Sequence, residues 1–308
     1  MPAGPSTASQ ARPRAAASDA ALLAVTLIWG ITFPLVKSAL RDADALSFCA
    51  VRLTLAALLL AAWYRLDWRR LPAATWVAGA LLGLCLAAGY ALQTAGLALT
   101  APATAAFITS MYVVLVPLLL AGFWRRKLRP VVWACTGVVL LGLYLLVAPP
   151  VGGAATSSSA WRGEGLVALC ALAFALQVVL LGEWAPRMKF RDLAVLQVVF
   201  AAVFSWFTLP LSTHPHWANT PRLWIAIAIT AVLATAVAFT VQSWAQQFTP
   251  STHAAVIFAA EPVFAWLASA IFWNEPLGKV QLIGAALVVL AIVGVEGRAN
   301  VPDGARPG

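Results

Sequence analysis

Ten apolar runs, separated by short polar stretches, dominate this chain. Each run approaches the roughly 20 residues that an α-helix needs to cross a hydrocarbon core about 30 Å thick. The pattern therefore predicts membrane-spanning helices at residues 20–40, 46–64, 73–98, 102–124, 130–148, 163–184, 192–211, 222–246, 251–273 and 278–297. Residues 1–19 are mostly Ala, Pro, Ser and Arg without periodicity, so we expect a disordered cytoplasmic tail there.

The stretch 149–162 is rich in Pro, Gly and Ser, which indicates a linker between two halves. The first half, 20–148, holds helices 1 to 5, and the second half, 163–297, holds helices 6 to 10. A cytoplasmic tail follows at 298–308. Because five is an odd number of spans, the two halves must face opposite ways. The sequence thus predicts an all-α polytopic membrane protein with ten transmembrane helices arranged as two inverted five-helix repeats.

An internal repeat supports this division. Residues 90–128 align without gaps on residues 239–277 at an offset of 149, with about eleven identities in thirty-nine positions. The identities include Gln93 with Gln242 and Phe123-Trp124 with Phe272-Trp273. After this shared pair the first copy continues Arg125-Arg126-Lys127-Leu128-Arg129 and the second Asn274-Glu275-Pro276-Leu277-Gly278. Such a loss of positive charge is expected of equivalent loops on opposite membrane faces.

Composition and charge agree with a membrane protein. Hydrophobic residues make up 62% of the chain and charged residues 10%, outside the range of soluble domains. The net charge of +9 does not indicate nucleic-acid binding, because the basic residues lie in clusters between apolar runs. Fourteen Lys and Arg fall on one side of the predicted topology, and six on the other side or at helix ends there: Lys37, Arg41, Arg52, Arg162, Arg222 and Lys279. This bias predicts cytoplasmic termini. We also expect the protein to lie in a bacterial-type inner membrane.

Glu261 is the first candidate for chemistry, because it lies about halfway along its predicted helix and so near the bilayer midplane. A charged side chain at this depth usually faces a cavity. It would bind a proton or a substrate amine there, or it would be a hydrogen-bonded packing residue. Pro262 frees the carbonyl of Phe258, and Pro117 frees that of Val113. Such helix breaks indicate a binding site or a packing kink.

Other polar and aromatic residues are candidates for the walls of the same cavity. Gln93 and Gln242 are repeat equivalents that would bind a polar metabolite or join helices. Lys37 and Arg52 lie near helix ends, where we expect their side chains to reach the interface. Gln177 is a weaker candidate. Four aromatic residues would offer a polar tip to a cavity or would equally face lipid: Tyr90, Tyr112, Trp29 and Trp244.

The remaining polar residues favour structural roles. His253, at a predicted helix start, is expected to be solvated, and Asn274-Glu275-Pro276 is expected to cap the tenth helix. The four cysteines lie inside apolar runs without metal-ligand spacing, so we expect neither a metal nor a cofactor. His214 and His216 lack a third ligand nearby.

Several segments resemble the EamA-type members of the drug/metabolite transporter superfamily. They are Leu27-Ile28-Trp29-Gly30-Ile31-Thr32-Phe33-Pro34-Leu35-Val36-Lys37, then Glu261-Pro262-Val263-Phe264-Ala265 and Asn274-Glu275-Pro276-Leu277. The resemblance implies a ten-helix inverted-repeat carrier in which the first four helices of each half surround a cavity. It also favours an anion-attracting role for Lys37, because the family's first-helix motif has a lysine there. Tyr112 stands where the second half has Glu261.

The sequence therefore predicts a secondary transporter that moves a small organic metabolite, such as an amino-acid-like compound or a drug, by alternating access. No Walker motif is present, so direct ATP drive is not expected. A channel or scaffold is the alternative class. A membrane-embedded enzyme is disfavoured, because neither His-Glu-x-x-His nor Gly-x-Ser-x-Gly occurs. The expected partners are the small-molecule substrate and the lipid bilayer. The sequence does not decide which compound is carried, whether it is exported or imported, whether a proton is coupled, or what the oligomeric state is.

Overall fold

The computed structural model describes residues 7–147, 158–212, 214–273 and 278–299. Within these ranges the chain folds into thirteen α-helices. They are α1 (Thr7–Ala39), α2 (Ala45–Tyr64), α3 (Ala73–Leu99), α4 (Pro102–Thr109), α5 (Tyr112–Gly122), α6 (Pro130–Val147), α7 (Ser158–Trp184), α8 (Phe190–Thr208), α9 (Pro221–Ala231), α10 (Ala238–Ala245), α11 (Ser251–Phe258), α12 (Glu261–Trp273) and α13 (Lys279–Ala299). A π-helical turn, Val232–Val237, joins α9 to α10 without a break.

Eight helical segments of the described chain are long and apolar enough to cross a membrane. They are Ala15–Ala39, Ala45–Tyr64, Ala73–Leu99, Pro102–Gly122, Ala160–Trp184, Phe190–Leu211, Pro221–Ala245 and Ser251–Ala268. Two further apolar helices, Pro130–Leu146 and Lys279–Gly294, are shorter. Large apolar side chains such as Trp63, Phe123 and Phe207 point outward, as expected of a surface that contacts lipid.

The structure differs from two of the sequence-based expectations, and a third group of expectations lies outside the described residues. The disordered tail at 1–19 is wrong from Thr7 onward, because α1 begins there and buries Ser18 and Asp19. The runs 102–124 and 251–273 each form two helices rather than one. The predicted cap Asn274-Glu275-Pro276, the centre of the linker and the end of the C-terminal tail lie outside the described residues.

The internal repeat is visible in the helix boundaries. Each of α4, α5 and α6 begins 149 residues before its counterpart α11, α12 or α13. The contacts also come in pairs: α1 packs against α12 and α7 against α5, while α2 packs against its counterpart α8 and α6 against α13. Equivalent sequence segments therefore occupy equivalent positions in the two halves.

Small residues bring the helices of the two halves into close contact. A Cβ atom added to Gly83 would lie 2.8 Å from the carbonyl oxygen of Gln197, and one added to Gly142 would lie 2.7 Å from that of Gly284. Gly79 likewise faces Leu196. The Gly79–Gly83 pair, whose spacing suits contacts within or between chains, thus serves the packing of α3 on α8 within one chain.

Candidate functional site

A cavity lies between the two halves. Helices α1 to α5 line it from the first half, and α7, α10, α11 and α12 line it from the second. Its aromatic wall consists of Trp29, Phe33, Tyr90, Tyr112, Phe174, Phe239 and Phe258. Its polar lining consists of Thr32, Arg52, Gln93, Thr94, Thr109, Gln177, Gln242 and Glu261, and three aliphatic residues complete it. Apolar walls with a few convergent polar groups are typical of sites for small molecules.

Glu261 and Tyr112 meet inside this cavity. The Tyr112 hydroxyl donates a hydrogen bond of 3.1 Å to Oε2 of Glu261, and both side chains are buried. Each residue begins a new helix, α12 or α5, directly after the break that divides its span. A carboxylate at the first residue of a helix also lies near the backbone N–H groups that its first turn leaves unpaired. The arrangement holds a polar pair where the two spans change direction.

Gly30 lets helix α1 approach this pair. A Cβ atom at residue 30 would lie 2.7 Å from the carbonyl oxygen of Glu261 and 2.7 Å from Cβ of Phe264. Any larger residue would push α1 away from the start of α12. The Trp29-Gly30 sequence therefore places the Trp29 indole in the cavity wall while its neighbour forms the helix contact.

The two prolines have different relations to the helix breaks. Pro262 is the second residue of α12, a position that tolerates proline. The helix has already ended at Phe258, so Pro262 follows the break rather than kinking a continuous helix. Pro117 lies inside α5, and the break of its span comes earlier, at 110–111. The two breaks match at the offset of 149, whereas the two prolines do not occupy equivalent positions of the repeat.

Arg52 is the main correction to the sequence-based predictions. Its side chain does not reach the interface: the residue is only 4% exposed and lines the cavity. Its Nε donates a hydrogen bond of 3.0 Å to Oγ1 of Thr235, and its guanidinium carbon lies 4.2 Å from the centre of the Tyr90 ring. A cation at this depth costs about 2.5–3.5 kcal/mol on insertion scales, which the contact with an aromatic face partly offsets.

The π-helical turn between α9 and α10 receives side chains from the first half. The carbonyl oxygen of Ala234 accepts hydrogen bonds from Trp29 Nε1 at 2.9 Å and from the Tyr90 hydroxyl at 3.5 Å. The Thr235 hydroxyl donates to the carbonyl of Thr230 at 2.8 Å, which leaves its oxygen directed at Arg52. Single π-turns occur often at functional sites. The sequence of residues 232–237 contains no pattern that predicts a π-helical turn, so Thr235 was not among the predicted site residues.

Four glutamines form a buried amide network in the second half. Gln242 donates to Gln177 at 3.1 Å and to Gln246 at 3.0 Å, while Gln177 donates to Gln197 at 3.1 Å. Gln246 in turn donates to the carbonyl of Val178 at 3.0 Å. Gln93, the repeat equivalent of Gln242, is half-buried and donates to the hydroxyl of Thr109 at 3.2 Å. The network occupies one side of the cavity, and the first half provides Arg52, Tyr90 and Gln93 on the other.

Two predicted candidates lie outside the cavity lining. Lys37 directs its Nζ at the carbonyl oxygens of Leu97, Ala98 and Thr100, at 2.6, 2.9 and 3.0 Å. It therefore satisfies the unpaired carbonyls at the end of α3, where a cation is favourable. Trp244 packs against Phe248 with ring centres 5.8 Å apart.

Polar contacts join the membrane-spanning part of α1, Ala15–Ala39, to the second half at both of its ends. Near its start, the Thr249 hydroxyl donates to Asp19 at 2.7 Å and lies 2.8 Å from the Ser18 hydroxyl. His253 Nε2 lies 3.8 Å from Asp19, and the residue is buried, so the expectation of a solvated histidine is wrong. Beyond the end of α1, a second set of contacts holds Asp42.

Asp42 is bound by Arg222 and Thr220 of the second half. Arg222 donates to both carboxylate oxygens, at 2.8 and 2.6 Å, and Thr220 donates at 2.7 Å. These hydrogen bonds, chiefly those of Arg222, lower the pKa of Asp42 from about 3.8 to about 2. The backbone of Asp42 also accepts a hydrogen bond from the N–H of Ala218, at 2.7 Å.

Comparisons with known proteins agree with this architecture. Residues 17–148 and 161–296 each match the model of the EamA-like transporter family. The chain is 33% identical over 289 residues to an uncharacterized transporter of Archaeoglobus fulgidus, which covers 90% of this chain and 84% of that protein. A crystal structure 19% identical in sequence shares the fold, with a TM-score of 0.74 over 92% of this chain and 97% of the other. The protein is a multi-pass membrane protein that belongs to the EamA-like transporter family.

Proposed function

We propose that this protein is a secondary transporter that moves a small organic metabolite across the inner membrane by alternating access. The observation that carries the proposal is the cavity itself, which lies between the halves and holds two buried charged residues, Arg52 and Glu261. Intramembrane charges that face a cavity usually mark a pathway for substrate or ions. The glutamines and the aromatic wall suit an amino-acid-like compound or a similar metabolite.

The repeat supports an arrangement of ten spans as two inverted halves with cytoplasmic termini. The contact between Tyr112 and Glu261 joins positions that the repeat makes equivalent. In a two-fold arrangement, a residue contacts its own equivalent only near the axis. An axis in the membrane plane that passes between these residues would place the cavity where carriers with inverted repeats bind their cargo.

Alternating access would exchange the contacts at the two ends of α1. The Asp19–Thr249 and Asp42–Arg222 contacts are polar and local, so one end can separate while the other stays closed. Within this mechanism Glu261 is the coupling carboxylate: it binds a proton or the cargo's amine when the cavity opens. No ATP is consumed in this mechanism, and the gradient of the cargo itself or a gradient of protons drives the flux.

Counterflow in proteoliposomes tests the proposal. The cargo is first sought by comparing metabolites inside and outside cells that lack or overproduce the protein. Vesicles loaded with that compound should then accumulate its labelled form transiently and saturably, which a channel does not do. Failure of every accumulated metabolite to show counterflow would contradict a carrier.

Glu261→Gln tests the coupling role. We expect this variant to lose flux driven by a pH gradient while it keeps the exchange of labelled for unlabelled cargo. Glu164→Gln on α7 is the matched control, because it makes the same change outside the cavity lining. Gradient-driven flux in Glu261→Gln equal to that of the wild type would remove Glu261 from the coupling step.

A further inference from the structure

Arg52 is a buried cation whose charge no acidic side chain neutralises in the described part of the chain. The described ion pairs of the protein involve other cations: Arg70, Arg126, Arg187, Arg222 and His253. Among the described Lys and Arg residues, Arg52 alone is buried. Buried cations are ordinarily paired or bind a ligand, since burial removes their hydration.

The guanidinium belongs to a cavity-lining residue, and most of its donors have no partner among the described residues. Of its hydrogen-bond donors, only Nε has a partner among the described residues, the hydroxyl of Thr235. The face of the group rests on Tyr90, which fixes its plane. Arg52 lines the cavity, and its two Nη groups have no hydrogen-bond partner among the described residues. A guanidinium with one nitrogen and one face engaged still offers the fork that binds a carboxylate.

Glu261 does not neutralise this cation. The described ion pairs do not join it to Arg52, and its Oε2 accepts instead from Tyr112. The cavity thus keeps a cation and a carboxyl group apart. Aromatic rings lie beside the cation: Tyr90 packs against Phe174 and Phe239, with ring centres 5.4 and 6.1 Å apart, and Trp29 packs against Phe239 at 5.6 Å.

We propose that Arg52 binds the carboxylate of the transported compound, and that this compound is a small organic carboxylate with an apolar body of aromatic size. The inference rests on the proposed function, because it names the cargo class of the same cavity. The Nη groups of Arg52 receive the carboxylate oxygens, and the rings around Tyr90 contact the apolar body. The bound anion supplies the counter-charge that the described chain does not.

The wild-type protein alone tests this specificity. We choose 3-phenylpropionate and its primary amide, 3-phenylpropionamide, which share a body and differ in charge. Isothermal titration of the purified full-length protein should show the carboxylate binding at least tenfold more tightly than the amide. Equal binding of the two probes, or no binding of the carboxylate, would overturn the assignment.

Variants then assign the preference to Arg52. In Arg52→Gln the carboxylate should lose at least tenfold in affinity while the affinity of the amide stays within twofold. Arg52→Lys should recover part of the loss, because it keeps the charge without the fork. Arg70→Gln, an exposed arginine paired with Asp67, is the control and should match the wild type. If Arg52→Gln does not fold, Arg52→Lys and the wild-type comparison still decide.

Flux measurements separate this inference from the proposed function. Counterflow of 3-phenylpropionate is measured at pH 8. Protein-free vesicles give the background that arises from passive diffusion of the protonated acid across the bilayer. If the carboxylate binds through Arg52 but is not transported, the result supports a carboxylate-binding site at Arg52 and contradicts the transport of this class of compound. If the amide is carried as well as the carboxylate, the transporter stands and the role of Arg52 fails.

Discussion

Tyr112 and Glu261 stand 149 residues apart, occupy equivalent positions of the internal repeat, and are joined by a hydrogen bond of 3.1 Å. One half has thus kept a phenol where the other has a carboxyl group, and each is the other's partner. The similarity between the halves positions the two side chains, and their chemical difference makes the contact a donor–acceptor pair. A tyrosine or a glutamate at both positions would lose this complementarity.

A double-mutant cycle measures this pair. Tyr112→Phe removes the donor and Glu261→Leu removes the acceptor, so the double variant should be less destabilised than the sum of the two single variants. Polar pairs within membranes contribute on average about 0.6 kcal/mol, and we expect a coupling of about 0.5–1.5 kcal/mol. Unfolding in mixed micelles supplies the free energies. Strict additivity would mean that the hydrogen bond does not contribute to stability.

Gly30→Ala tests the approach of α1 to the start of α12. The added methyl group would lie 2.7 Å from the backbone oxygen of Glu261, so the helices must separate. We expect a loss of about 1–3 kcal/mol, typical of overpacking, seen as a lower unfolding midpoint. Gly137→Ala is the matched control, because nothing lies within 4 Å of its added Cβ. Equal midpoints for the two variants would contradict the contact.

Asp42 predicts a dependence of stability on pH. Its folded-state pKa is about 2, below the ordinary value of 3.8, so the ionised form is favoured in the folded protein. This stabilisation is complete above about pH 4 and is lost as the pH falls toward 2. Asp42→Asn should therefore be less stable than the wild type at neutral pH, and the difference should shrink between pH 4 and 2.

The control for this titration is Asp67→Asn. Asp67 pairs with Arg70 at 3.0 Å, but both side chains are mostly exposed, and such pairs contribute little. Melting temperatures of the two variants are compared over the same pH series. A gap between Asp42→Asn and the wild type that persists at pH 2 would show that the ionised contact with Arg222 is not its source.

A cross-link at the other end of α1 tests whether that end must open. The Ser18 and Thr249 hydroxyl oxygens lie 2.8 Å apart, so cysteines at both positions are placed to form a disulfide. In a background without the four native cysteines, oxidation should stop counterflow and reduction should restore it. The single-cysteine variants, which cannot cross-link within a chain, should keep their activity. Undiminished counterflow in the cross-linked protein would show that this contact stays closed during transport.

The sequence predicted the depth of residues better than the direction of their side chains. The position of Glu261 in its apolar run placed it correctly inside the bundle, and Gln93 and Gln242 were found through the repeat. The rotation of each helix is harder to predict, because lipid is as apolar as the protein core and leaves no polar face. In α2, buried Leu53 and exposed Leu58 look alike in the sequence.

Arg52 is an example of a side chain whose direction the sequence does not determine. A lone cation in an apolar run is consistent with a side chain that reaches the interface, which we expected for Arg52, and equally with one that faces a cavity. The π-helical turn that presents Thr235 depends on packing against Trp29 and Tyr90 of the other half. Lys37 fits the family motif, yet its hydrogen bonds place it at the end of α3. Local pattern does not contain these contacts between distant segments.

The central claim is that two halves of common pattern lie inverted around a polar cavity. Single cysteines at the equivalent positions Arg125→Cys and Asn274→Cys, in the cysteine-free background, test it most directly. A membrane-impermeant maleimide, applied to sealed right-side-out vesicles and then to opened ones, should label Asn274→Cys in the sealed vesicles and Arg125→Cys only after opening. Labelling of both positions from the same face would contradict the inverted arrangement.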